Sequence, residues 1–369
     1  MEKRKIGLAL GSGAARGLAH IGVLDVLQKE GIPIDMVAGT SAGAMIGGLY
    51  ALGKDIEEIK SLALELKGQK LVLLVDPSFP KSGFIKGRRI KRLLSLYFGG
   101  DIKIEEMRLP FACVATDVET GEEVVIDHGP VLEAIRASIS IPGIFSVARW
   151  KGRHLVDGAL VNPIPVDVLA RMGADFIIAV NVIPEVSQEA RRFDREQKNA
   201  FAEIRIVQQV SGLVQRLVKE TKGNLEQPKI IREVSELVQK FVEEGANSVR
   251  NPGIIQEVSA EVKRITRQQT AVLGTQKIIQ GVSGRVQQLA KAQRDTLGEP
   301  NIIHVLMQSF NISAYSLVRS SLKYADIIIE PQVGHIGIGD FIKGRECMEQ
   351  GKLAASDVVP EIKRLLEIE

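Results

Sequence analysis

Twice within its first 52 residues the chain runs from a short apolar stretch through a glycine-rich turn into a helical stretch. Ile6-Gly7-Leu8-Ala9-Leu10 leads into Gly11-Ser12-Gly13-Ala14-Ala15-Arg16-Gly17 and then Leu18 to Leu27. Ile34 to Ala38 leads into Gly39-Thr40-Ser41-Ala42-Gly43 and then a small-residue run to Leu52. Each reads as strand, tight turn, helix, and two such units in succession call for a parallel sheet covered by helices. The second turn is a G-x-S-x-G pattern. Such an elbow lifts the Ser41 hydroxyl above the sheet edge at a helix N-terminus, where developing negative charge is favoured. Backbone N–H groups at the first turn point outward, as an anion requires. Taken alone, either turn is also satisfied by a structural strand-to-helix connection.

A third block lies far downstream. Leu155-Val156-Asp157-Gly158-Ala159 ends a short apolar run on a carboxylate and is followed by Asn162-Pro163-Ile164-Pro165. A serine elbow, an anion-binding loop and a carboxylate at a strand end form a set suited to acyl transfer: nucleophile, oxyanion hole and base.

The three blocks in this order resemble the patatin-like phospholipases, especially the small bacterial members. That family's pattern is G-x-G-x-x-R-G, then G-x-S-x-G, then D-G-G or D-G-A. The segment Ala134 to Phe145 (Ala-Ile-Arg-Ala-Ser-Ile-Ser-Ile-Pro-Gly-Ile-Phe) is similar to the family's stretch before the aspartate. The resemblance covers roughly residues 5–185 and resumes at about 301–369. It implies a three-layer α/β/α fold with a mostly parallel sheet, and a serine lipid acyl hydrolase of phospholipase or esterase type. It also implies Ser41 as nucleophile, Asp157 as proton acceptor, and an oxyanion hole from Gly11, Ser12, Gly13, Ala14, Arg16 and Gly17. Gly39, Gly43, Gly158 and Ala159 support these motifs. Ala14 departs from the pattern, standing where many relatives carry glycine. If that position needs positive φ, alanine is strained there. For Asp157 to serve as base toward a serine, burial or like charge has to raise its pKa.

Further strands are expected at 110–117 and 122–127 around a Glu119-Thr120-Gly121 turn, at 176–181 and at 326–329. Helices are expected at 16–30, 42–52, 130–138, near 164–172, from 301 to about 320, and at the C-terminus. Residues 187–300 differ in kind. Val210-Ser211, Val234-Ser235, Val258-Ser259 and Val282-Ser283 recur at a constant 24-residue spacing. An aliphatic pair precedes each by four residues, and Val214, Val238, Val262 and Val286 follow each valine by four. The pattern predicts amphipathic helices of about four turns joined by connectors, an all-α insertion in a catalytic domain made of 5–186 and 301–369. A solvated helical bundle is the preferred reading. The stripes also allow homo-oligomer formation or peripheral contact with a membrane surface, although Phe193, Phe201 and Phe241 are its only aromatics.

Composition excludes little but constrains partners. The 369 residues carry a net charge of +3, which demands no nucleic-acid partner. Cys113 and Cys347 lack metal-ligand spacing and read as buried, reduced thiols. No metal or organic cofactor is implied. The basic start, Met1 to Lys5, is followed by an apolar run that Ser12, Arg16 and His20 interrupt. No signal peptide and no transmembrane helix are therefore expected, and the placement is cytoplasmic. A basic-aliphatic stretch, Lys86 to Leu94 after Phe79 and Phe84, suits an anionic lipid surface or a solvated helix face.

Three alternatives stand beside the hydrolase reading. A Ser-His-Asp α/β-hydrolase would draw on His304 or His335, which follow Asp157, with His154 near it in sequence. A dinucleotide binder would use the first turn, though Arg16 occupies the sixth position of G-x-G-x-x-G. A regulatory or lipid-binding member of the same fold would keep the residues without turnover.

Overall fold

The computed structural model describes residues 4–65, 88–100, 102–185 and 302–368. The 24-residue repeats, Phe79 and Phe84 lie outside the described residues, as does the side chain of His304. All described residues fall in one compact unit made from both ends of the chain.

The unit is built on an eight-stranded sheet. Its strands are β1 (Ile6–Leu10), β2 (Met36–Thr40), β3 (Phe111–Asp117), β4 (Glu123–Ile126), β5 (Ala148–Trp150), β6 (Arg153–Asp157), β7 (Phe176–Val180) and β8 (Ile327–Ile329). The order is β5-β6-β3-β2-β1-β7-β8, with β4 pairing β3 outside that path. From β3 to β8 neighbouring strands are parallel, while β4, β5 and β6 are antiparallel additions at the β3 side. The helices are α1 (Ala19–Lys29), α2 (Ala42–Leu52), α3 (Ile56–Glu65), α4 (Arg88–Phe98), α5 (Val131–Ser138), α6 (Val166–Arg171), α7 (Ile302–Ser321) and α8 (Gly344–Leu366).

Strand residues alternate between two faces, so β1 sends Leu8 and Leu10 one way and Ala9 the other. One face carries a core with α1, α2, α3, α4, α5 and α8; the other packs against α6 and α7. This is the mostly parallel three-layer arrangement the sequence predicts, with β1, β2 and β7 buried along their whole length because both faces are covered.

Element limits differ where turns take residues from helices. Residues 14–18 form a 3-10 turn before α1, so the helix begins at Ala19 rather than near residue 16. β2 runs to Thr40, because Gly39 stays in register with Leu10 and Cys113. β6 is the strand expected to end at Asp157, whereas β5 and the hairpin turn at Lys151-Gly152, with both residues at positive φ, have no counterpart among the expected strands.

α1 and α8 cross at glycines. A Cβ on Gly22 would fall on the Met348 carbonyl, and one on Gly351 on the Ala19 carbonyl. The backbones therefore touch, and Asp25, paired with Lys29 of its own helix at 2.8 Å, bridges the crossing to Lys352 at 3.0 Å. The two cysteines are buried reduced thiols, Cys113 in β3 and Cys347 in α8. Burial pushes the thiol of Cys347 up to about 12.

Candidate active site

The site follows from the pairing of β3. Its first half pairs with β2, placing Thr40 opposite Val114; its second half pairs with β6, placing Asp157 opposite Ala115. β4 occupies the opposite edge, since Cys113 pairs with Gly39 on one side and Ile126 on the other. β2 runs parallel to β3 and β6 antiparallel, so their C-terminal ends meet head-on along one edge. Residues 41 and 157 become neighbours for that reason.

Ser41 donates its hydroxyl to Asp157 Oδ2 at 2.6 Å. The serine is the N-cap of α2 and has φ 55° and ψ −117°. That conformation costs a non-glycine residue about 1–3 kcal/mol and marks the turn as strained. Two contacts hold it. Ser41 N–H donates to Ser138 Oγ at 2.9 Å, and Thr40 Oγ1 donates to the Asn162 carbonyl at 2.8 Å. Gly43 lets α2 start hard against β1, since a Cβ there would fall on the Leu10 carbonyl oxygen.

Asp157 is fully buried, and Ser41 retains 4% exposure. Its Oδ1 accepts the Ala159 N–H at 3.0 Å, its own N–H donates to the Ser140 carbonyl, and Thr116 Oγ1 donates to its carbonyl. Burial raises its pKa from the ordinary carboxylate value to about 7; the bonds from Ser41 and Ala159 act the other way and are outweighed.

The Gly11–Gly17 loop lies alongside. Gly17 packs against Ala42, the residue after the serine. Most of the loop's N–H groups are committed to carbonyls: Gly11 to Val180, Ser12 to Pro163, Ala15 to Ile338 and Arg16 to Gly13. Arg16 is buried and donates from Nε to the Ile336 carbonyl at 2.7 Å, so it is no surface arginine. The run Gly334 to Gly339 thus supplies two carbonyls that hold the loop. Ala14 has φ 49°, the positive value its place in the pattern required.

Two of the candidate histidines, His335 and His154, are held by surface carboxylates. His335 bonds Glu346 at 2.5 Å and His154 bonds Glu119 at 2.8 Å, all four side chains more than a third exposed. From Arg88 the basic stretch forms α4, where Leu94 is buried and Lys91 pairs with Glu133 at 2.6 Å. Among the described residues no helix is long and apolar enough to cross a membrane. Two contributors escaped sequence reading. Ser138 is one of two alternating serines before a proline, with nothing local to single it out. His20 was legible only as a polar residue in an apolar helix.

The family model for patatin-like phospholipase matches residues 8–170. An uncharacterized NTE family protein of Mycobacterium bovis is 39% identical over 178 residues, covering 48% of this chain and 49% of that protein. Lysophospholipase nte1 of Emericella nidulans is 35% identical over 182 residues, covering 48% of this chain and 12% of that protein. The chain thus spans about half the length, or less, of these relatives. Among solved structures, VipD from Legionella pneumophila aligns with a TM-score of 0.40 and 13% identity, over 100% of this chain and 89% of that one. Ser41, Asp157 and the glycine-rich loop all lie inside residues 8–170, the part of this chain that matches the patatin-like phospholipase model.

Proposed function

We propose that the protein is a serine acyl hydrolase acting on lipid esters of the phospholipid or lysophospholipid class. The observation that carries this reading is the 2.6 Å bond from a strained turn serine to a wholly buried aspartate. A hydroxyl is a poor nucleophile at neutral pH, and an ordinary carboxylate is too weak a base to help it much. Asp157, raised to about 7, is matched to the task.

In the proposed reaction Ser41 Oγ attacks the ester carbonyl as its proton passes to Asp157 Oδ2. The carbonyl π pair moves onto oxygen, giving a tetrahedral oxyanion. Gly13 and Ala14 are assigned as its N–H donors, since the neighbouring loop N–H groups, and that of Ser41, are engaged elsewhere. Collapse breaks the bond to the leaving alcohol, which takes the proton from Asp157, and leaves an acyl-serine. Water then attacks the acyl carbonyl while Asp157 accepts its proton. Return of that proton to Ser41 Oγ releases the fatty acid. Arg16 supports the loop from below through Ile336.

The name of the Emericella relative supports a lysophospholipid as the first substrate to try. The deciding experiment is fluorophosphonate labelling of the purified protein beside a panel of soluble acyl esters, lysophospholipids and phospholipids. Labelling at Ser41 and hydrolysis, both lost in Ser41→Ala with the fold intact, is the expected result. A folded wild-type protein that neither labels nor hydrolyses any of the panel would replace the hydrolase with a non-catalytic lipid-binding reading.

A further inference from the structure

We infer that His20 is a positioning residue for the oxyanion-binding loop, acting through the Gly11 carbonyl; this rests on the acyl-hydrolase reading of the site.

His20 is the second residue of α1, and its side chain is wholly buried. Its Nε2 lies 2.7 Å from the Gly11 carbonyl oxygen. A carbonyl only accepts, so the ring donates from Nε2. In the neutral ring Nδ1 is then a bare acceptor, and it is buried without a partner. Burial keeps the ring neutral by pushing its pKa down to about 4. An unsatisfied buried acceptor is destabilising. Leucine at this helix position would carry no such cost, so filling space does not account for a histidine. The bond to Gly11 does.

Gly11 is where β1 becomes the loop. With its N–H on Val180 and its C=O on His20, the residue is fixed on both sides. Ser12 N–H is then held by Pro163, and the far side of the turn by Ile336 and Ile338. Between these anchors lie Gly13 and Ala14, the residues assigned to the oxyanion. Ala14 is in a left-handed conformation that relaxes if its neighbours are free to move. His20 therefore fixes donors that matter only once the oxyanion forms, and its loss should lower kcat rather than raise KM.

The test compares His20→Leu, His20→Gln and His20→Asn in the full chain. Readouts are kcat and KM on a water-soluble nitrophenyl ester, the rate of fluorophosphonate labelling, and thermal unfolding. The glutamine amide nitrogen reaches the place of Nε2; the asparagine amide reaches only that of Nδ1. Leucine and asparagine should lower kcat and labelling by about 10- to 100-fold with KM within about 3-fold, and glutamine should recover most of the loss. If the leucine protein does not fold, the glutamine–asparagine pair decides alone. Full kcat in His20→Leu, a change confined to KM, or glutamine no better than asparagine at equal stability would overturn the positioning role. In each of those cases wild type still labels at Ser41, so the hydrolase reading survives. A wild type that neither labels nor turns over overturns both.

Discussion

At the scale of single residues, Asp157 carries two opposed demands. In the proposed mechanism Asp157 has to be ionised to take the serine proton, yet its burial disfavours the ionised form. The folded pKa, about 7, lies above the unfolded value near 4, so the fold holds a proton that the unfolded chain has released. Asp157 thus contributes least penalty below about pH 4. Its cost grows as the pH rises toward 7 and is constant above, on the order of 4 kcal/mol at about 1.4 kcal/mol per unit. Activity should have the reverse profile, with kcat rising through an apparent pKa near 7. Asp157→Asn keeps an acceptor for the Ala159 N–H and removes the charge. It should be inert toward esters, yet melt several degrees above wild type at pH 8 and level with it at pH 4. Equal melting at both pH values would show that the carboxylate is not held at a cost. Ser41 and Asp157 were legible in the sequence because the chemistry of a nucleophile elbow restricts its neighbours to small residues. Ser138 and His20 were not, because each acts by reaching a backbone group that only tertiary folding brings near: the Ser41 N–H, 97 residues before Ser138, and the Gly11 carbonyl.

At the scale of elements, the α1–α8 crossing is the least forgiving joint. Backbone sits where a side chain at Gly22 or Gly351 would have to go, and neither carbonyl can swing away without breaking its own helix. Gly351→Leu should therefore cost about 2 kcal/mol or more, as overpacking does, and lower the midpoint of urea unfolding. An unchanged midpoint would mean that the helices separate there without penalty. The Asp25 pairs with Lys29 and Lys352 add little by comparison, since the lysine of the first is largely exposed. The main strands and helices were readable because apolar periodicity and turn residues agree along them. β5 was not, because Ala148, Arg149 and Trp150 alternate only once, too little for a period to register. The first helix starts later than its sequence predicts, since small residues suit a 3-10 turn as well as an α-helix.

At the scale of the molecule, the described unit is closed by its ends. β7, before residue 186, pairs with β8, after residue 301, through Ile178–Ile327, Ala179–Ile328 and Val180–Ile329. Everything described belongs to this unit. We propose on that basis that residues 187–300 are a separable addition. Replacing residues 189–299 by a short Gly/Ser linker should leave a protein that hydrolyses small soluble esters at a rate within a few-fold of wild type. Activity on lipid vesicles or the sedimentation coefficient should change, because aliphatic stripes need a partner surface. An insoluble or inert deletion protein would make the repeats part of the catalytic core. The order of catalytic motifs was plain from the sequence. That the last seventy residues complete the site was not, because the Gly334 to Gly339 run contributes only backbone carbonyls.

Those carbonyls have a consequence for synthesis. A nascent chain emerging from the ribosome has made the proposed nucleophile by residue 41 and the proposed base by residue 157. The loop that would bear the charged intermediate still waits for Ile336 and Ile338, some 180 residues later. Until they arrive, a half-made polypeptide carries a paired serine and aspartate but an unbraced cradle. On the proposed mechanism, hydrolytic power is therefore the last property the chain acquires, and a product cut short before residue 336 should be harmless to the lipids around it.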